Sequence, residues 1–75
     1  MTTKRLKNLK QSGNMLKMFD LSYTSLNKNV HWKINIDNYI VNFYPTTHVW
    51  HDREKNIIGK TIKSFLEYIG KVDPE

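Results

Sequence analysis

Between residues 30 and 37 apolar and polar side chains alternate without a break, Val30, Trp32, Ile34 and Ile36 in one phase and His31, Lys33, Asn35 and Asp37 in the other. A period of two belongs to a strand with one buried face and cannot be reconciled with a helix. Asp37-Asn38 tolerates the positive φ of a tight two-residue turn, and residues 39–44, YIVNFY, are dense in β-branched and aromatic types. The hairpin register follows. Ile36 faces Tyr39, Ile34 faces Val41 and Trp32 faces Phe43, all six on the buried side, because directly opposed residues share a face. On the other side His31 lies opposite Tyr44, Lys33 opposite Asn42 and Asn35 opposite Ile40. Residues 45–48, PTTH, read as a turn into a third strand. A four-residue loop sets Tyr44 against Val49, Phe43 against Trp50 and Asn42 against His51, so Trp50 joins the core and His51 joins the wet face beside Asn42 and Lys33.

The flanks read as helix. Residues 3–11 place Leu6 and Leu9 three apart, with Lys4, Lys7 and Lys10 on the remaining surface; Gly13-Asn14 interrupts, and Met15, Leu16 and Phe19 resume the stripe. This predicts one helix with a weak spot or two short pieces. Residues 20–29 are polar, with Leu21, Tyr23 and Leu26 as isolated anchors, and read as a loop with room for a turn of helix. Residues 51–56 read as a charged loop ending in Asn56 as an N-cap. Ile58, Ile62, Phe65, Leu66 and Ile69 then recur at helical spacing and predict a helix over about 57–69. Gly70 closes it, and Val72 is placed to fold back onto the last turn. The expected fold class is α+β: an N-terminal helix, a three-stranded antiparallel β-meander over 30–51, and a C-terminal helix packed on one sheet face, in a single domain over 1–75.

The chain has 75 residues. One this short buries only about 60% of the surface its unfolded form exposes, so a partner or self-association would add stability that the small core lacks. There is no cysteine, hence no disulfide and no thiolate metal site. No apolar run approaches the roughly 20 residues that cross a bilayer, and the N-terminal stretch lacks the apolar segment of a signal peptide, so a cytoplasmic protein without membrane contact is expected.

Net charge is +5 and the pI about 9.6. That balance favours a polyanionic partner, nucleic acid or an acidic protein surface, although it also serves solubility. Lysine outnumbers arginine ten to two, which suits diffuse phosphate contacts better than bidentate reading of base edges. Candidate binding residues are Lys33, Asn42, Tyr44 and His51 on the open sheet face, with Lys55, Lys60 and Lys63 in or beside the last helix. The N–H groups at that helix start would add to the potential for a phosphate. His31, His48 and His51 have no carboxylate cluster beside them, so no metal and no cofactor is expected. His51 or His31 as general base, with Lys33 and Tyr44 nearby, is chemically sufficient for RNA cleavage but unspecific, and no catalytic residue is assigned. Aromatics interleaved with charges suggest a base-stacking platform, but the register puts Trp32, Phe43 and Trp50 in the core and leaves Tyr44 available.

Residues 41–70, VNFYPTTHVWHDREKNIIGKTIKSFLEYIG, resemble small, mostly phage-encoded proteins of unassigned function that carry Asn/Asp-Phe-Tyr/Trp-Pro-Thr-Thr-Gly-x-Trp before a Gly-containing helix. His48 stands where that signature has Gly, which implies a left-handed turn residue there. The resemblance implies a phage or prophage origin and no defined activity. The helix, three strands, helix order ending in GKTIKSFLEYIG is also similar to the double-stranded-RNA-binding fold and the HicA-type mRNA interferase toxins built on it. Their catalytic His lies in a Gly-Ser-His context; the counterpart here is His31 in Asn-Val-His, without Gly-Ser. Lys60 and Lys63 loosely match lysines at the last helix of RNA-binding members. Shared architecture does not settle function. The leading expectation is a small basic phage-type accessory protein, not an enzyme, that binds nucleic acid, RNA by architecture, through lysines of its terminal helices and the open sheet face. Two other readings are a protein-binding inhibitor of a host or defence enzyme, using exposed Ile40 and Val49, and a HicA-like RNA-cleaving toxin using His31 and His51.

Overall fold

The alternating segment does form strands, but the sheet is larger than the alternation alone reveals. The computed structural model describes residues 3–73. It places five strands, β1 (Ser22–Leu26), β2 (His31–Ile36), β3 (Tyr39–Tyr44), β4 (Val49–Asp52) and β5 (Ile57–Gly59), between α1 (Thr3–Met18) and α2 (Ile62–Tyr68). All neighbouring pairs are antiparallel, in the order β1-β2-β3-β4-β5. The α+β class holds, with a five-stranded meander in place of three strands.

The central register is the one the alternation dictates: Trp32↔Phe43, Ile34↔Val41 and Ile36↔Tyr39 on one face, Lys33↔Asn42 and Asn35↔Ile40 on the other. Across the next pair Phe43 meets Trp50, Asn42 meets His51 and Tyr44 meets Val49. Asp37 takes a φ of 38° in the tight turn and His48 a φ of 64° in the next. Val30, expected on the buried face, is 47% exposed, because the strand starts one residue later and Val30 closes the preceding turn.

Two segments expected as loops are edge strands. β1 pairs with β2 through Tyr23↔Ile34 and Ser25↔Trp32. Its turn is made by Asn27, Lys28 and Asn29, all left-handed (φ 51°, 54° and 70°). Asn29 Oδ1 ties this turn down by accepting from Ser25 Oγ (2.7 Å) and Trp32 Nε1 (3.1 Å). β5 takes Ile57 and Ile58 into the sheet opposite Asp52 and His51. Ile58 therefore does not belong to the last helix, and Asn56 is a left-handed turn residue (φ 55°) rather than its N-cap.

The cap is Thr61. Its hydroxyl accepts from Ser64 N (3.0 Å) while Thr61 N donates to Ser64 Oγ (3.3 Å), a reciprocal capping box. Gly70 closes the helix at φ 78°, and Val72 N donates to Leu66 O (3.4 Å), so the chain folds back as expected. α1 runs through Gly13-Asn14 as one helix, since burial of Ser12, Met15 and Leu16 outweighs the weak propensity of that pair.

Both helices cover the same sheet face. The core joins Trp32, Ile34, Ile36, Val41, Phe43 and Trp50 to Met15 and Leu16 of α1 and Phe65 and Leu66 of α2. Phe65 is its centre, with its ring 5.1 Å from Phe43 and 6.0 Å from Trp50. Each such side chain contributes about 1.5–3 kcal/mol by leaving water. One carboxylate sits on this side as well. Asp52 is buried, accepts from Tyr68 Oη at 2.5 Å, and takes the N–H groups of Glu54 (3.1 Å) and Lys55 (3.3 Å) on its other oxygen.

Candidate functional site

Strand alternation places Lys33, Asn42 and His51 in one row across the uncovered face, extended by Thr24 on β1 and Ile58 on β5. Tyr44 lies beside the row with its ring stacked on His31 at 4.8 Å and 18°. Four candidate residues, Lys33, Asn42, Tyr44 and His51, are thus brought together as expected. Asn42, however, is not wet. It is 6% exposed, and its amide spans the row: His31 Nε2 donates to its Oδ1 (2.7 Å) and its Nδ2 points at His51 O (3.5 Å). A carbonyl can only accept, so the amide orientation and the Nε2–H form of His31 follow from the two bonds together. His51 Nε2 is buried and has no hydrogen-bond partner among the described residues. Neither ring therefore presents a free Nε2 to a substrate on this face, which is poor geometry for a general base. Ile40 (50% exposed) and Ile58 (60%) flank the row, so the face is apolar at its margins and polar at its centre.

The other three candidates lie elsewhere. Lys55, in the β4–β5 turn, sits with Nζ 5.4 Å from the centre of the Tyr39 ring. Lys60 is exposed just before the N-cap of α2, and Lys63 is exposed in its first turn, on a helix that packs against the opposite face of the sheet. At this helix start, where a phosphate contact was expected, part of the donor set is already used. Ser64 N is taken by the Thr61 hydroxyl, and Ser64 Oγ is itself committed to Thr61 O (2.9 Å) and to the indole N–H of Trp50 (3.0 Å).

The concentration of charge is on α1. Lys4, Arg5, Lys7, Lys10 and Lys17 stand there without one acidic residue, and these five cations equal the formal net charge of +5; the rest of the chain balances seven basic against seven acidic side chains. Helical spacing puts Ser12, Met15 and Leu16 on the sheet side and Lys7, Lys10, Asn14 and Lys17 on the outer side, all four exposed. Cations in the first turns oppose the helix dipole by roughly 0.3–1 kcal/mol each, so this placement does not serve helix stability.

α1 is fixed by the turn that joins β3 to β4. Asn8 Nδ2 donates to Thr46 O (2.9 Å), and the Ser12 hydroxyl is shared between Asn8 O (2.8 Å) and Pro45 O (3.1 Å). His48 Nε2 donates to Asn8 O (3.1 Å). That bond accounts for a His at a left-handed position: the ring ties sheet to helix at the expense of backbone strain. None of these ties was visible from residue patterns, since Asn8 and Ser12 read as ordinary polar helix positions. The only signal was Ser12 lying in the phase of Met15 and Leu16.

Among the described residues no cluster of three or more His, Cys, Asp or Glu is placed to hold a metal ion, and no helix is long and apolar enough to cross a membrane. Compared with protein-family models, curated proteins and solved structures, the chain matches none.

Proposed function

We propose that this is a small nucleic-acid-binding accessory protein that grips a phosphate backbone through α1, with the lysines of the open sheet face and of α2 as secondary contacts. The observation that carries the reading is the charge distribution: the five cations of one helix, with no acidic residue among them, equal the whole net charge, and Lys7, Lys10 and Lys17 line its outer side. Duplex RNA recognised by shape, with little sequence preference, suits a lysine-rich and arginine-poor surface. Binding to a short duplex should fall steeply with salt, by close to one unit of log K per log salt for each phosphate neutralised. A triple change Lys7→Gln, Lys10→Gln, Lys17→Gln should flatten that slope by about 2–3 units. Lys33→Gln, on the opposite side of the sheet, should alter it by less. Absence of binding at low salt sinks the reading, as does a triple variant that binds unchanged.

A second reading, an inhibitor that docks on another protein, is favoured by one observation: Ile40 and Ile58 are 50% and 60% exposed on a sheet face that nothing covers. It expects one stoichiometric protein partner that survives nuclease treatment and is lost on Ile40→Lys.

A further inference from the structure

The sheet has two edges, and they are unlike. β5 offers three residues, whereas β1 offers five, Ser22–Leu26, paired to β2 in unbroken register with no bulge. Edge strands are ordinarily blunted by a charge, a proline, a bulge or brevity. β1 has none of these: SYTSL carries neither charge nor proline, and Ser22, Tyr23, Thr24 and Ser25 are exposed. Its free backbone groups follow from the register. The two-residue turn at Asp37-Asn38 makes Ile36↔Tyr39 the bonded pair that closes the β2–β3 hairpin, and bonded pairs recur at every second residue, so Ile34 and Trp32 also turn to β3. His31, Lys33 and Asn35 are left for β1, where they engage Leu26, Thr24 and Ser22. Tyr23 and Ser25 therefore direct their N–H and C=O groups away from β2, to a side where no further strand of the sheet lies.

We infer that β1 is a pairing edge whose occupant is a second copy of this chain, joined antiparallel about a two-fold axis at Thr24 so that two five-stranded sheets become one. Tyr23 of each copy then exchanges both backbone bonds with Ser25 of the other, and the two Thr24 side chains meet on the open face. Charge favours a copy over an unrelated strand. Asp20 and Lys28 lie four residues to either side of Thr24, both exposed and neither in an ion pair among the described residues. An axis at Thr24 sets Asp20 of each copy beside Lys28 of the other, so the ends of the edge are self-complementary while its middle is neutral. Exposed pairs of this kind add little affinity; their part is to fix direction and register. The axis stands normal to the sheet, so both copies of α1 lie on one side of it. The inference is independent of the nucleic-acid reading.

The test uses the full chain without nucleic acid: sedimentation equilibrium over a concentration series, with amide exchange on ¹⁵N-labelled protein at both ends of that series. Dimers should form as concentration rises. The Tyr23 and Ser25 amides should slow with them, while Thr24 and Leu26, bonded to β2 already, change little. Ser25→Pro removes an outward donor from each copy and no bond to β2, so it should raise the dimer Kd by about tenfold or more. Ser25→Ala keeps the N–H and should leave Kd near that of the parent, and melting curves check that both variants fold. Asp20→Lys and Lys28→Asp should each weaken self-association. Mixed in equal amounts, these two variants should pair with one another, because every contact at the ends is then between opposite charges. A chain that stays monomeric throughout the series overturns the inference. So does a dimer whose Tyr23 and Ser25 amides exchange as fast as in the monomer, or one that Ser25→Pro leaves intact, since another surface then joins the copies. Charge variants that gain nothing on mixing overturn the axis at Thr24.

Discussion

Gly59 is the position where a single added methyl group should do the most harm. It pairs with Trp50 across β4–β5, and a Cβ built there would lie 2.1 Å from Trp50 Cε2, 2.2 Å from Nε1 and 2.3 Å from Cζ2. The indole has nowhere to retreat. It is 3% exposed, donates to Ser64 Oγ at 3.0 Å and packs on Tyr68 at 4.8 Å. Overpacking of this kind costs about 1–3 kcal/mol and the lost indole bond about 1 more, so Gly59→Ala should destabilise by roughly 2–4 kcal/mol. At about 0.05–0.15 kcal/mol per residue, a chain of 75 residues has some 4–11 kcal/mol in all. Urea unfolding followed by fluorescence should show the midpoint falling by roughly a fifth or more. The decisive measurement is a double-mutant cycle with Trp50→Leu, in a stabilising osmolyte so that both backgrounds stay folded, and with Trp32 as the remaining probe. Without the indole, Gly59→Ala should be neutral or stabilising by about 0.5 kcal/mol, because glycine inside a strand carries an entropic penalty. An equal cost in both backgrounds would refute the reasoning.

Two further outcomes follow from the same geometry. His48→Gly loses the bond to Asn8 O but relieves a φ of 64°, two effects of about 1 kcal/mol each, so its melting point should stay near that of the parent, whereas His48→Val loses the bond, about 1 kcal/mol, and adds the greater strain of a branched Cβ at positive φ; a His48→Gly chain as unstable as His48→Val removes the strain argument. Asp52 is held below its ordinary value of 3.8, chiefly by the Tyr68 hydroxyl and then by the N–H groups of Lys55 and Glu54, so its contribution is present above about pH 4 and lost as pH falls through the depressed value. Tyr68, pushed up to about 12 first by its bond to Asp52, contributes fully below its ordinary value of 10 and less as pH rises toward 12. Stability measured against pH should therefore fall at both ends, and Asp52→Asn should flatten both limbs together; a variant that flattens neither removes the pair from the account.

The parts of the fold legible in residue order were those where one pattern had no competitor. Alternation in β2, a turn pair at Asp37-Asn38 and a proline after Tyr44 fix the register of three strands, and the eight residue pairs that join β2 to β3 and β3 to β4 follow from those signals. β1 was hidden because Ser22, Thr24 and Ser25 carry no hydrophobic contrast; its only apolar anchor on the covered face is Tyr23, whose ring lies 4.8 Å from Trp32. β5 was hidden by coincidence, since Ile58 and Ile62 are four apart and extend a helical stripe backwards through a strand and a connection. At the candidate site, alternation correctly grouped Lys33, Asn42, Tyr44 and His51 but could not show that Asn42 is buried by its own neighbours. The polar ties from Asn8 and Ser12 to residues 45–48 join positions more than thirty apart in sequence and leave no periodic trace.

Those ties bear on how binding and folding are coupled. α1 is attached in two different ways: its C-terminal half by apolar burial of Met15 and Leu16, at 5% and 4% exposure, and its middle by the bonds to residues 45–48. Residues 3–7 have only exposed side chains, Leu6 among them at 48%, so they should open locally at small free energy. A nucleic acid held on the lysines of α1 would close that end, and at a hundred times its Kd it would stabilise the bound form by about 2.7 kcal/mol. Amide exchange in the first two turns should therefore be fast in the free protein and slow strongly on RNA binding, while Met15 and Leu16, protected by the core already, change little. Exchange in the first turns that stays as fast with RNA bound as without it would argue against α1 as the contact.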